Sequence, residues 1–328
     1  MKNRLLWLAM AATAIFSALS PLAQANDTWP SRPVKLVVPF SPGGGTDIVA
    51  RAIAQKLATR LGQPVVIDNR PGASTIIGTD TVVKAEPDGH TLLISGSTSY
   101  TVNPALRSKL PYDVATDLAP VAIVAQAPLV LLVNTASPYA KLADLVKAAR
   151  AKPGALTYAT FGAGSAPHLS GALFAQAIEA RLQDVPYRGS AQSMTALLGG
   201  EIDMAIDTVA TAAPHVRSGK LRPLAIVGGT RSSLLPDVAT VTELKLPEAT
   251  FDAWYAVAAP ARTPAGVLKR LGTELSAVMA DPQLQAQMRA QGMEPVALGS
   301  SAMRTLMEKE TPRYRALAHR AGIHADQP

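Results

Sequence analysis

The chain has 328 residues, 48 % hydrophobic and 17 % charged, enough apolar material for two cores and far from a disordered or low-complexity composition. It has no cysteine, which excludes disulfides, thiolate metal sites and a cysteine nucleophile. The formal charge of +7 comes from scattered basic residues with no Lys/Arg run and no aromatic interleaving, which speaks against a nucleic-acid partner.

Lys2 and Arg4 precede an apolar stretch from Leu5 to Leu19, Pro21 breaks it, and Ala23-Gln24-Ala25 fits a small-x-small cleavage rule. Residues 1–25 are therefore expected to be a secretory signal peptide cut after Ala25. Its removal leaves 29 basic and 24 acidic residues, net +5. No later stretch offers about 18 uninterrupted apolar residues, and no cysteine is present to carry a lipid. The expected location is the periplasm.

The next elements follow in order. Val34–Val38 is an apolar strand that runs into Ser41-Pro42-Gly43-Gly44-Gly45-Thr46-Asp47. Val49, Ile53, Leu57 and Leu61 repeat at helical spacing, and Gly62 is a stop. Val65–Ile67 reads as a strand, Ile76 to Val83 as a helix, and Leu92–Ile94 as a third strand that delivers Ser97 and Thr98. This β-α-β-α-β pattern predicts a parallel sheet covered by helices.

The pattern restarts at the apolar strand 128–133, with a helix over Leu142–Ala149 and a strand over Leu156–Ala159. A loop containing Gly162-Ala163-Gly164-Ser165 then opens a helix near His168. A short strand ends at Tyr187 before Arg188-Gly189-Ser190, a helix covers 191–198, and Ile202–Ile206 delivers Asp207. Leu224–Val227 is one more strand, and the remainder reads as mainly helical apart from Trp254–Ala258. The expected organisation is one lobe from 26–127 and 228–328 and a second, inserted lobe over 128–227. Strands near Leu129–Val133 and Leu224–Val227 are expected to cross between the lobes.

Catalytic signatures are missing: no Gly-x-Ser-x-Gly elbow, no Walker A sequence, no His-Glu-x-x-His, and no histidine with a partner at metal-ligand spacing in the body of the chain. What remains is a set of loops at the C-terminal ends of strands, most opening a helix and rich in Gly, Ser and Thr. Ligands of open α/β sheets bind at such ends. Bare N–H groups at a helix N-terminus bind anions without a basic side chain. Each loop also has a plainer reading: the glycines as a turn, Thr46 or Asp47 as a helix cap, His168 and Tyr187 as packing, Arg188 as a surface charge. Asp207, directly after Met204-Ala205-Ile206, needs a partner or a site.

Ordered stretches along the chain carry a resemblance. They include Val37-Val38-Pro39-Phe40-Ser41-Pro42-Gly43-Gly44-Gly45-Thr46-Asp47, Asp68-Asn69-Arg70-Pro71-Gly72-Ala73, and Glu86-Pro87-Asp88-Gly89-His90-Thr91. Further on come Gly162-Ala163-Gly164-Ser165 with His168, Val185-Pro186-Tyr187-Arg188-Gly189-Ser190, and Arg231 with Leu235-Pro236-Asp237. The chain resembles the periplasmic substrate-binding proteins of tripartite tricarboxylate transporters, the Bug family. The resemblance implies an α/β, type II-like Venus flytrap, each lobe a mainly parallel sheet flanked by helices, closing as a monomer on a small carboxylate and serving a membrane permease. It implies no cofactor, no metal and no enzymatic activity, with contacts largely from backbone and bridging water. The chain departs from the family pattern at His90, Arg188 and Arg262. The expected ligand-binding residues are Phe40, Gly43, Gly44, Gly45, Thr46 and Asp47 in the first loop and Ser97 and Thr98 after the third strand. In the inserted lobe they are Gly164, Ser165 and His168, then Tyr187, Arg188, Gly189 and Ser190, and finally Asp207. Arg188, with its planar fork, would hold a second carboxylate. Asp207 would orient Arg188 or accept a hydrogen bond from the ligand, and a plain Arg188–Asp207 pair is the alternative. Two other roles were weighed: a ligand-presenting accessory of a membrane signalling system, and a periplasmic hydrolase.

Overall fold

A computed structural model describes residues 29–323; the leader and its cleavage site lie outside the described residues. β1 (Val34–Val38) is a run of aliphatic residues, all but Lys35 buried. α1 (Gly45–Leu61) buries Val49, Ile53, Leu57 and Leu61 as the spacing requires. It ends where Gly62 adopts φ +70° and donates its N–H to the Ala58 carbonyl. β2 (Val65–Asn69) and β3 (Thr91–Gly96) flank β1 in parallel, with α2 (Ile76–Val83) between them in sequence. A π-helical turn over Thr98–Val102 and a short helix over Asn103–Leu106 then lead to β4 (Leu118–Gln126).

After β4 the chain changes sheet within two residues. β5 (Leu129–Asn134), α3 (Leu142–Ala151), β6 (Thr157–Thr160), α4 (Ala166–Ala177), β7 (Gln183–Pro186), α5 (Ser190–Gly199), β8 (Met204–Thr208), α6 (Val209–Arg217) and β9 (Leu221–Ile226) follow. The chain returns through β10 (Trp254–Pro260), α7 (Ala265–Met279), α8 (Pro282–Ala290), β11 (Glu294–Gly299) and α9 (Ser300–Ala321). The first sheet has the order β11-β4-β10-β3-β1-β2 and the second β7-β6-β8-β5-β9. Helices cover both faces of each. α1, α7 and α8 pack on one face of the first sheet, and α5 and α6 on one face of the second.

The α/β, two-sheet architecture is as expected, but the sheets are mixed rather than mainly parallel. β10 enters antiparallel between β3 and β4, and β5 runs antiparallel to both β8 and β9. β5 and β9 also do not cross between lobes; both belong to the second sheet. The crossings are residues 126–129 and 251–254, which lie side by side, with Ala127 N–H donating to the Ala253 carbonyl at 2.8 Å. β4, α6 and β11 are elements that the apolar pattern did not separate. Residues 228–253, expected to be mainly helical, are turns around an isolated bridge between Ile226 and Thr240. Gly228-Gly229, Pro236 and Pro247 interrupt any helix there, and Val241, Ala249 and Phe251 pack into the core of the second sheet.

α9 straps the two halves. Its Met303 lies in the core under the first sheet, while Tyr314 and Leu317 lie in that of the second. Between them Glu310 is buried and accepts hydrogen bonds on Oε2 from the Trp254 indole (3.0 Å) and the Thr101 hydroxyl (3.1 Å). Burial pushes the Glu310 carboxyl up to about 7, against the opposing pull of those two donors.

Two outcomes follow from this packing. The folded pKa of Glu310 lies above its unfolded value near 4.5, so its contribution is fully present below that value and is lost as pH rises through about 7. Glu310→Gln keeps an acceptor for both donors. Thermal denaturation of this variant between pH 4 and 8 should lose a stability decline of about 3 kcal/mol. Gly171 on α4 lies so close to the Tyr158 ring that a Cβ would fall 2.1 Å from it, whereas Gly272 on α7 meets nothing within 4 Å. Gly171→Ala should cost about 1–3 kcal/mol and Gly272→Ala should stabilise by about 0.5–1 kcal/mol, read as shifts in the urea midpoint.

Candidate functional site

The first loop is built by one carboxylate. Gly43 takes φ +85°, which only glycine adopts freely, and its N–H donates to Asp47 Oδ2 at 3.0 Å. Asp47 is buried and also receives Arg51 Nε at 2.8 Å and Asn69 Nδ2 at 3.0 Å. Burial alone would raise its pKa; the Arg51, Gly43 and Asn69 hydrogen bonds outweigh it and hold the carboxyl below its ordinary value. Asn69 Nδ2 also reaches the Phe40 carbonyl at 3.1 Å. Asp47 is thus occupied in folding the loop, and Asn69 is its partner from β2, a role visible in the sequence only as part of a motif. The first-turn N–H groups of α1, from Gly45 to Asp47, have no intrahelical acceptor.

Tyr255, on β10, is the residue that sequence reasoning missed. Its hydroxyl lies beside Thr46, 2.9 Å from where a Cβ on Gly45 would sit. Its ring lies 3.4 Å from the Cβ position of Gly96, just before Ser97, so the first loop and the end of β3 meet on one tyrosine. Burial raises the Tyr255 phenol to about 12, and the charge of Asp207 from the other sheet adds to the rise. The only signal for it in the sequence is an aromatic residue in an apolar run. Ser97 is buried, and its carbonyl accepts the Thr101 hydroxyl at the start of the π-helical turn that carries Thr98.

In the second sheet, Asp207 is 2 % exposed. Its Oδ1 accepts the Ser190 hydroxyl at 2.9 Å and the Thr208 N–H at 2.7 Å, while Oδ2 has no hydrogen-bond partner among the described residues. Arg188 is not its partner. The Arg188 side chain is exposed, its N–H donates to Gln192 Oε1 at 3.1 Å, and β6 stands between β7 and β8 in the sheet. The expected Arg188–Asp207 pair is therefore absent, because the strands that end near the two residues are not neighbours. Burial raises the Asp207 carboxyl to about 6, against Ser190 and Thr208.

The remaining loop closes on itself. Ser165 Oγ accepts the Phe161 N–H at 3.1 Å, and His168 Nδ1 accepts the Gly164 N–H at 3.0 Å. Gly162 and Gly164 have φ of +93° and +77°. Burial lowers the His168 pKa, so the ring is neutral with its proton on Nε2. Tyr187 is half-buried, and its N–H donates to the Thr160 carbonyl at 2.8 Å. Around Tyr255 the structure brings Gly45 and Thr46 of the first loop and Gly96 before Ser97, and Asp207, bonded to Ser190, is near enough for its charge to act on the phenol. Phe40, Gly43, Gly44 and Asp47 lie in the same first loop, Thr98 follows Ser97, and Gly189 precedes Ser190. Gly164, Ser165, His168, Tyr187 and Arg188 lie on neighbouring loops of the second lobe.

Two sheets joined by a double crossing, with glycine loops and the first turns of α1 and α5 converging where they meet, define a two-lobed solute receptor. The model of the tripartite tricarboxylate transporter family receptor matches residues 49–323, and the chain belongs to that family, a family of receptors rather than enzymes. The BugT protein of Bordetella pertussis is 36 % identical over 316 residues, covering 95 % of this chain and 97 % of that protein. Among solved structures, R. palustris Rpa4515 with adipate superposes with a TM-score of 0.83 at 35 % identity, covering 90 % of this chain and 99 % of that one. MatC from Rhodopseudomonas palustris with bound malate gives 0.79 at 30 % identity, covering 88 % and 99 %. Among the described residues no helix is long and apolar enough to cross a membrane.

The geometry places the steric test of the first loop at Gly45. Gly44 is extended, and a Cβ on it meets only the Ser41 carbonyl at 3.7 Å. A Cβ on Gly45 meets Tyr255 Oη at 2.9 Å and Met293 Cε at 2.8 Å. In calorimetric titration with a bound dicarboxylate, Gly45→Val should weaken binding at least tenfold, while Gly44→Ala should change it less than threefold.

Proposed function

We propose that this chain is a periplasmic receptor that captures a small carboxylate, of the dicarboxylate class, between its two lobes and presents it to the membrane permease of a tripartite tricarboxylate transporter. The observation that carries the reading is the convergence of two helix N-termini on one junction. Thr46 of α1 lies beside Tyr255, Tyr255 lies within the field of Asp207, and Asp207 accepts the hydroxyl of Ser190, the first residue of α5. Unpaired N–H groups and the partial positive charge of each helix suit one carboxylate apiece. The family assignment supports transport, and the adipate and malate held by two similar proteins support the ligand class.

The lobes are proposed to hinge on the crossings at 126–129 and 251–254, with residues 128–252 moving against the remainder, because Val241, Ala249 and Phe251 pack into the core of the second sheet. A ligand that touches both lobes then favours the closed form. Adipate and malate are the first probes. At 100 times its dissociation constant, a ligand should stabilise the fold by about 2.7 kcal/mol in thermal denaturation. Small-angle scattering should show a smaller radius of gyration with the same ligand. Stabilisation without compaction would leave a receptor that does not close, and no stabilisation by any dicarboxylate would refute the ligand class.

A further inference from the structure

The free oxygen of Asp207 has a consequence for how an anion can be bound beside it. Asp207 is a carboxyl group 2 % exposed, at the C-terminal end of β8, the edge of the second sheet read here as part of a carboxylate site. Both of its protein donors, Ser190 Oγ and Thr208 N–H, go to Oδ1. Oδ2 is buried and receives nothing from the described residues. A buried carboxylate oxygen without a donor is costly, and a second anion brought next to it adds repulsion. Among the described residues it makes no ion pair, and no charged neighbour acts on it. Ser190 comes from α5, Thr208 caps α6, Tyr255 faces it from β10, and the exposed Arg188 makes no ion pair with it.

We propose that Asp207 binds the ligand in its protonated form, with a solvent-derived proton on Oδ2 donated in a hydrogen bond to a ligand carboxylate, so that each binding event takes up one proton. The inference rests on the carboxylate-receptor reading above. The distribution of donors fixes where the proton goes, because Oδ1 is already occupied as an acceptor twice over. It also converts an uncompensated buried charge into a donor, the polarity that an anionic ligand needs. Burial already raises the free carboxyl to about 6, and a bound carboxylate raises it further. The sign follows. Near and below pH 6 the free protein carries the proton already and affinity is flat. Above it the proton must be taken from solvent, and affinity falls about tenfold per pH unit until the pKa of the complex is reached.

Asparagine is the decisive substitution, because its carbonyl can keep the Oδ1 contacts while its amide occupies the Oδ2 position as a permanent donor. With adipate and malate as probes, calorimetric titration at pH 7.5 in buffers of different ionisation enthalpy should show close to one proton taken up per ligand. The dissociation constant should rise about tenfold per unit between pH 6.5 and 8. Asp207→Asn should bind with the affinity that the unmodified protein has near pH 6, independent of pH, and with no proton uptake. Binding by the unmodified protein without proton uptake overturns the proposal. So does a folded Asp207→Asn that loses binding, which would make Asp207 an acceptor for a ligand hydroxyl. If Asp207→Asn fails to fold, Ser190→Ala decides. It removes a hydrogen bond that lowers the carboxyl, so the onset of affinity loss should move to higher pH, and an unmoved onset overturns the proposal. If no dicarboxylate binds at any pH, the receptor reading itself falls, and this inference with it.

Discussion

Three chain segments hydrogen-bonded side by side, around residues 127–129, 227 and 251–253, hold the molecule's geometry. Ala127 donates to Ala253, Phe251 donates to Val227, and Val227 donates to Leu129, each at 2.8 Å. The binding elements hang directly from this ladder. Tyr255 lies two residues beyond Ala253 on β10, and the first N–H of α6 is tied to the Pro128 carbonyl at 2.8 Å. A rotation at the crossing therefore changes the separation of Tyr255 and Asp207 with little slack between. α9 packs across the same junction, and the turn at Gly292 presses on Ala210 of α6 so closely that a Cβ there would fall 2.7 Å from the Ala210 nitrogen. Glycine at that turn is what lets the two halves approach.

The polar side chains near the cleft serve the loops more than they serve a ligand. Asp47, Asn69, Ser165 and His168 each accept or donate hydrogen bonds that fix a glycine-rich backbone in place. This is preorganisation: the ordering cost of the loops is met in the free protein, so less of it is charged to binding. It also suits the proposed anion site, whose donors would be main-chain N–H groups at helix ends, which carry no side chain to reorganise.

Much of the fold was legible because its apolar pattern is locally consistent. Val49, Ile53, Leu57 and Leu61 could only be the inner face of a helix, and the runs at 34–38, 92–94 and 128–133 could only be buried strands. The errors share a cause. β4 and β5 form a nearly continuous apolar stretch in which Pro128 marks a change of sheet, and strand order is a property of distant pairing that no local pattern encodes. The same limit hid the site's centre. Asp207 was visible as a carboxylate after an apolar run, but its partner could be named only once the order β7-β6-β8 was known. Tyr255 has no local mark at all; it matters because β10 threads between β3 and β4 and so faces Gly45 and Asp207.

That threading sets the order of assembly. β10 is the interior strand that joins β3 to β4, yet it lies more than 120 residues after both, with the whole second sheet in between. Until it arrives, β3 and β4 present unpaired edges to each other and the first sheet cannot close. The second sheet has its first and last strands, β5 and β9, paired directly, so its strand order is complete within residues 129–226, while Tyr314 and Leu317 of α9 complete its core. The contact that completes the first sheet, β10 between its two neighbours, has a high sequence separation, which places the molecule among slow folders.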